Sequence, residues 1–248
     1  MVLKRDQLGR TVDDKGIMNT HVDMVLYGAS GAGKTFRAAT APQPMYVIGS
    51  DATGHKSIPF PVDGRVLHSI EDVGEVILDF LTGGHGYKTL LVDGLSFMHD
   101  MFVKETGQYM VDRMGAKDPD LMPIQGRMKI LNRFSNMLRQ LINLSQVDNI
   151  DDRVHVIFTT LEQRLKEDER APFTIRPLFG TERMNASFPA FFSIISYIEP
   201  AGEVDDKGNI SENRQMFFST HNGVLARDRL GLFKPFYPSA PDLSDILY

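Results

Sequence analysis

The sequence has no cysteine, which removes disulfides, thiolate metal sites and cysteine nucleophiles from consideration. No apolar run approaches the roughly 18 residues that a membrane-spanning helix needs. The first twenty residues, with Lys4, Arg5, Asp6, Arg10, Asp13, Asp14 and Lys15, lack the apolar core of a secretory signal. These absences lead to the expectation of a cytoplasmic protein that does not engage a membrane. A basic excess is missing as well: 27 Lys and Arg stand against 32 Asp and Glu, a formal net charge of −5. That balance argues against a protein that coats duplex DNA with its whole surface, and leaves a local basic groove open.

What is present is the balance of an ordinary globular chain: 248 residues, 42% hydrophobic and 24% charged, enough for one large α/β domain. Short β-rich runs alternate with amphipathic stretches, the pattern of a mostly parallel sheet covered by helices. Val22–Tyr27, Met45–Ile48, Thr89–Val92 and Val154–Phe158 read as strands, and Arg65–His68 as a short one. Ile70, Val73, Val76, Ile77 and Phe80 recur at helical spacing, as do Ile130, Leu131, Phe134, Met137, Leu138, Leu141 and Leu144. A helix is expected over Phe36–Thr40, ended by Pro42 and Pro44, and another after Asp93 through about Val111. Phe191–Ile198 and Gln215–Thr220 read as later strands, with Asp206–Asn209 as a turn between them. Asp112–Pro123 reads as a polar loop, and Glu162–Arg170 is too charged to pack. The expected organisation is an extension over 1–20, a core over 21–237 and a tail over 238–248. The acidic ending from Asp242 reads as a frayed terminus.

Gly28-Ala29-Ser30-Gly31-Ala32-Gly33-Lys34-Thr35 matches the phosphate-binding loop pattern in full, between a strand and a helix. Glycines let backbone N–H groups turn inward around phosphate oxygens, and the following helix N-terminus adds its dipole. Lys34 then neutralises the β- and γ-phosphates, and the Thr35 hydroxyl ligates Mg2+. Asp93, at the end of the apolar run Leu90-Leu91-Val92, suits a carboxylate that supports the metal. It also suits the cap of the next helix, and the apolar run before it with Gly94 after it favours the metal role. Hydrolysis also needs a group that orients water. Position 94 is Gly rather than Glu, so that carboxylate must come from elsewhere. Asp51 is the candidate, just past a strand expected beside that of the glycine loop. On spacing alone Asp51 serves equally as a turn residue in Gly49–Gly54.

Asp51 after its strand, Asp93 without a following Glu, and Leu225-Ala226-Arg227-Asp228-Arg229 together resemble the RecA-like recombinase ATPases. The nearest likeness is to the phage-type, core-only branch implicated in single-strand annealing, over about Asp23 to Pro235. The resemblance implies a RecA-like P-loop NTPase fold with additional C-terminal β-strands, and a Mg2+-dependent ATPase. It puts Asp51 at the position of a catalytic Glu, one methylene shorter than the family residue. Thr159 and Thr160 take the sensor position at the tip of a strand, where the family more often has amide side chains. Arg227 and Arg229 match the basic pair that reaches a neighbouring subunit's nucleotide. Their i, i+2 spacing puts both on one strand face; without the resemblance they read as solvated surface arginines.

The resemblance also implies two loops that bind single-stranded DNA, here about Asp112–Pro123 and Gln163–Asn185. The second holds Arg164, Lys166, Arg170, Arg176 and Arg183, with Phe173 and Phe179 interleaved, and cations plus rings suit single strands. Glu162, Glu167, Asp168, Glu169 and Glu182 dilute that charge, so a solvated loop fits the residues as well. The implied partners are single-stranded DNA, further copies of the chain in a filament or ring, and a single-strand-binding protein. Two other classes fit a P-loop: a kinase of a small molecule or nucleotide, with Arg164–Arg176 as a lid, and an ATP-dependent switch or packaging subunit.

Overall fold

The computed structural model describes residues 4–5, 11–12, 21–49, 54–114, 124–166, 173–202 and 213–247, with 4, 5, 11, 12, 55, 113, 114, 124 and 125 described by backbone alone. In chain order the elements are β1 (Asp23–Gly28), α1 (Lys34–Ala38), β2 (Met45–Gly49), β3 (Asp63–Val66), α2 (Ile70–Thr82), β4 (Thr89–Asp93), α3 (Leu95–Met114) and α4 (Ile124–Asn143). They continue as β5 (His155–Leu165), β6 (Thr174–Pro177), α5 (Glu182–Ser187), β7 (Ile194–Pro200), β8 (Arg214–Phe217), β9 (Arg227–Asp228) and β10 (Phe236–Tyr237). Among the described residues, Lys4–Arg5 and Thr11–Val12 pair only with each other, as a separate short ladder.

Runs that are apolar without alternation form strands covered on both faces, and here they sit at the middle of one sheet. Its order is β10-β8-β7-β1-β5-β4-β2-β3. From β7 to β3 every pairing is parallel, and β8, β9 and β10 add antiparallel strands from the C-terminal part of the chain. The fold is therefore the expected α/β arrangement, a mostly parallel sheet flanked by helices. Alternate residues of β1 face opposite layers. Val25 and Tyr27 join Phe80, Phe102, Phe134 and Phe158 under α2, α3 and α4, while Met24 and Leu26 join Ala38, Leu91 and Ile157 under α1. The start of α2 is fixed locally: the Ser69 hydroxyl accepts from the Asp72 N–H while the Asp72 carboxylate accepts from the Ser69 N–H, a reciprocal cap.

Three expectations need correction. The strand Met45–Gly49 is not beside β1, because β5 and β4 stand between them. Local sequence cannot show this, since β5 enters the sheet more than a hundred residues later in the chain. Glu162–Leu165 is not an unpacked stretch either. β5 continues through it and pairs antiparallel with β6, so Glu162 faces Pro177 and Arg164 faces Ile175. The backbone ladder, rather than apolar side chains, holds this segment. The expected turn Asp206–Asn209 and most of the expected loop Asp112–Pro123 lie outside the described residues, and Asp112–Met114 closes α3.

The third correction concerns the C-terminal segment, which packs rather than frays. Leu243 and Leu247 are fully buried against the layer that holds Ala38, Ala39 and Ala41. The Leu243 N–H donates to the Thr40 hydroxyl, the Ser244 N–H donates to the Thr40 carbonyl, and Asp242 pairs with Arg37 at 2.7 Å. At five residues, α1 is far shorter than a helix that holds itself together in water, so this segment braces it. Leu247→Ala should lower stability by about 2–5 kcal/mol in urea denaturation; a change of a few tenths would mean that the segment is frayed in solution.

Candidate functional site

The glycine loop leaves β1 at the C-terminal edge of the parallel strands. Gly28 is demanded by packing before any ligand is considered: a Cβ there would fall on the Ile198 carbonyl oxygen of β7. Gly31 and Gly33 have φ of 76° and 87°, a left-handed backbone that side chains rarely adopt. A Cβ on Gly31 would meet only open space, so that glycine serves backbone conformation and access to the loop. Beyond Gly33 the helix α1 begins at Lys34, and the Arg37 and Ala39 N–H groups close its turns on Gly33 and Thr35.

The loop, β4, β5 and the start of α3 enclose a cavity of about 370 Å3 lined by Ser30, Gly31, Gly33, Lys34, Thr35, Asp93, Gly94, Thr159, Thr160 and Leu161. Eight of the sequence-designated site residues are among these, drawn from three separate segments. Inside it, Asp93 Oδ1 accepts from the Thr35 hydroxyl at 2.7 Å and from the Thr159 hydroxyl at 2.5 Å. Thr159 Oγ1 in turn accepts from the Gly94 N–H at 2.9 Å. Thr160 faces the other layer, where its hydroxyl meets Ser96 at 2.7 Å and the Leu178 carbonyl.

Lys34 Nζ donates to the carbonyls of Gly28 at 3.0 Å and Ala29 at 2.7 Å. Burial pulls this ammonium below its ordinary range, and the carboxylates of Asp93 and Glu162 oppose that shift. An ammonium so placed is poorly solvated and has carbonyl partners that a phosphate oxygen would outbid. The donor set also suits a divalent cation: a hydroxyl and a carboxylate, both hard oxygens, lie 2.7 Å apart beside an anion-binding loop. The residues present therefore fit a nucleoside triphosphate with Mg2+.

The remaining designated residues lie elsewhere. Asp51 is outside the described residues, although its strand ends with Gly49 in register with Asp93, and Gly54 and Ser57 line the cavity. Arg227 and Arg229 are near the other end of β1. Arg227 faces Ile195, which faces Val25, and the Arg229 N–H donates to the Ser193 carbonyl. The Arg227 guanidinium donates to the carbonyls of Pro189 and Phe192, and Arg229 reaches that of Ala190 at 3.3 Å. Arg164, Lys166 and Arg176 lie on the β5–β6 hairpin, and Arg183 lies on α5 against the Met128 sulfur. Arg170 is outside the described residues. Lys166 Nζ sits 5.6 Å from the exposed Phe173 ring. Phe179 is instead fully buried and stacks on Phe192 at 5.6 Å, so it cannot take part in base stacking.

The site also holds residues that the sequence did not single out. Glu162 accepts from the Tyr197 hydroxyl at 3.0 Å and from Arg164 Nε at 2.6 Å, and burial with the nearby carboxylate keeps the Tyr197 phenol protonated well above its ordinary range. Its place in a charged run hid it. Phe36 and Phe97 line the cavity mouth with 45% of their surface exposed. Two large exposed rings at the entrance of a polar cavity were the one available signal for them.

The Thr159 hydroxyl would orient Asp93 toward a bound cation through its hydrogen bond. Thr159→Val should raise the Mg2+ concentration needed for nucleotide binding by about 10–100-fold, read by titrating a fluorescent ATP analogue at several Mg2+ levels. Binding in EDTA should not change; a uniform loss in both conditions would mean that the hydroxyl only supports the fold.

Among the described residues no helix is long and apolar enough to cross a membrane. Residues 20–230 match the protein family described as "AAA domain". No curated protein matches the chain. Among solved structures it is similar to a KaiC-like protein from the hyperthermophilic archaeon Pyrococcus horikoshii OT3, with 11% identity over 87% of this chain and 88% of the other, at a TM-score of 0.40.

Proposed function

This chain belongs to the AAA domain family of P-loop proteins, and from that membership we propose a RecA-like, Mg2+-dependent ATPase that acts on single-stranded DNA in recombination or strand annealing. Membership in the family and the loop itself carry nucleotide binding. The observation that carries hydrolysis is the convergence of Lys34, Thr35, Asp93 and Thr159 on one cavity. Bound Mg2+ would neutralise charge on the phosphates held there. Lys34 would leave its loop carbonyls for phosphate oxygens, Thr35 and Asp93 would hold the cation, and Thr159 would fix the Asp93 rotamer.

Asp51 is the proposed water-orienting carboxylate. Its flanks support this, since Gly49 pairs opposite Asp93 and Gly54 lines the cavity. A carboxylate one methylene short of Glu must sit closer to the water it orients, which makes turnover sensitive to the fit of that segment.

A site shared between copies is part of this proposal. Arg229 binds backbone beside Ser193, whose hydroxyl donates to Asp23 at the start of β1. Five residues of strand separate Asp23 from Gly28, about 16 Å at 3.3 Å per residue. Arg229 is remote from its own phosphate site and the Arg227 guanidinium is turned to the Pro189 and Phe192 carbonyls, which supports a role for the pair across a contact between copies, in a filament or ring. β5 is the proposed link to DNA: one strand carries Thr159 on Asp93 and, five residues on, Arg164 in the hairpin.

The test combines phosphate release, with and without single-stranded DNA, and native mass. The expected result is an assembly whose turnover rises on DNA and falls by about 10²–10⁴-fold in Asp51→Asn. Turnover indifferent to DNA in a monomer would sink the recombinase reading. Phosphate appearing on an added nucleoside would decide for a kinase, and unchanged hydrolysis in the variant would remove Asp51 from the mechanism.

A further inference from the structure

The chain is acidic overall, yet one element departs sharply from that balance. α4 carries Arg127, Lys129, Arg133 and Arg139 over twenty residues and no Asp or Glu at all. Its apolar side, with Ile130, Phe134, Met137, Leu138 and Leu141, is spent on the core. Its exposed side is made of Asn132, Arg133, Asn136, Arg139 and Gln140, with Met128 and half-buried Lys129 at the edges, and Arg127 is exposed at the first turn. Among the described residues none of these four cations is paired with a carboxylate. A helix face of cations and amides without an anion has uncompensated positive potential, and nothing in fold stability requires it.

Aromatic rings flank the same face. Lys129 Nζ lies 3.8 Å from the centre of the Tyr109 ring, which is 45% exposed, and the Arg139 guanidinium lies 4.8 Å from that of Phe191. Between α2 and α4 a cavity of about 220 Å3 has Val73, Ile77 and Phe102 as its apolar lining and Arg133, Asn136 and Gln140 as its polar lining. Asp72 and Glu75 of α2 both pair with Arg65. Glu105 accepts from the Ile70 N–H. Arg183 extends the cationic side at one end through its contact with Met128.

We infer that the exposed face of α4, with Tyr109 and Phe191, is a binding surface for the backbone and bases of single-stranded nucleic acid. This rests on the single-stranded DNA reading above and adds a second contact surface to the β5–β6 hairpin proposed there. Cations meet phosphates, amides bond phosphates and base edges, and rings stack on unpaired bases. Lys129, Arg133 and Arg139 fall within one exposed arc of the helix and span about 15 Å along it, so several phosphates can be met along that face. An anionic membrane fits less well, because a helix that lies on lipid needs large apolar residues on its outer face and this one has amides there.

The experiment uses the full chain, a fluorescein-labelled oligo-dT strand and anisotropy over a salt series. Arg133→Glu with Arg139→Glu should weaken DNA binding by on the order of 100-fold and flatten the salt dependence by about two contacts. The milder Arg133→Gln with Arg139→Gln should give an intermediate loss, and ATP-analogue binding should be unchanged in both, which reports intact folding. Arg164→Glu with Lys166→Glu separates the hairpin from the helix. If the wild-type protein binds the strand and the helix variants bind it equally well, this surface is wrong while the DNA reading stands. A wild-type protein that binds no strand overturns both and leaves the ATPase reading intact. Capture by phosphatidylserine vesicles without DNA binding also overturns the proposal.

Discussion

Asp93 Oδ1 accepts two hydroxyls at once, Thr35 from the glycine loop and Thr159 from β5, and the rest of the site depends on that meeting. It requires β1 and β4 to lie one strand apart with β5 between them. If β4 were directly beside β1, Thr159 could not sit between them at the level of the loop. The register sets the height as well, with Val92 opposite Phe158 and Gly28 opposite Leu161. Three side chains from distant parts of the chain thus reach one plane at the C-terminal edge of the sheet.

That edge is polar because the strands end there, and it stays in place because both faces below it are dry. β1 and β4 are buried along their whole length. A displacement of β5 at Thr159 would disturb close packing around Phe158 and Ile157 on opposite faces, which interiors at crystal-like density resist. The hairpin beyond Leu161 lacks such a core and is held by its ladder with β6 and by Glu162 between Tyr197 and Arg164. This end of the strand is thus held by backbone pairing and one carboxylate, while its other end is held by the core. On the other side of the sheet, the five-residue α1 borrows its rigidity from Leu243 and Leu247.

Charge is distributed by the same logic. A net charge of −5 describes the whole surface and conceals segregation: carboxylates crowd α2 while α4 has none. Arg227 and Arg229, at the far end of β1, hold the turn from Pro189 to Phe192 through its carbonyls. That turn also carries Phe191, on which Arg139 stacks. The region expected to touch a neighbouring copy and the cationic face of α4 are thus joined through one short segment.

The sequence by itself determined the phosphate loop, since Gly31, Gly33, Lys34 and Thr35 act through conformation and chemistry that are local to eight residues. It determined the strands and helices whose periodicity is strong, because burial writes a pattern into neighbouring residues, as in Thr89–Asp93 and in α4. It also placed Asp93 at a strand end, though not what would bind it. Tertiary structure alone decided the rest. The strand order removed Met45–Gly49 from the side of β1, because pairing over a hundred residues of separation leaves no local trace. Phe179 and Phe173 look alike in sequence, but only packing put one in the core and left the other in solvent. Leu243 and Leu247 look like the end of a chain until the helix they brace is seen beside them. Which carboxylate faces Lys34, and which cations stand without one, are facts of distance, and distance between segments is what folding adds.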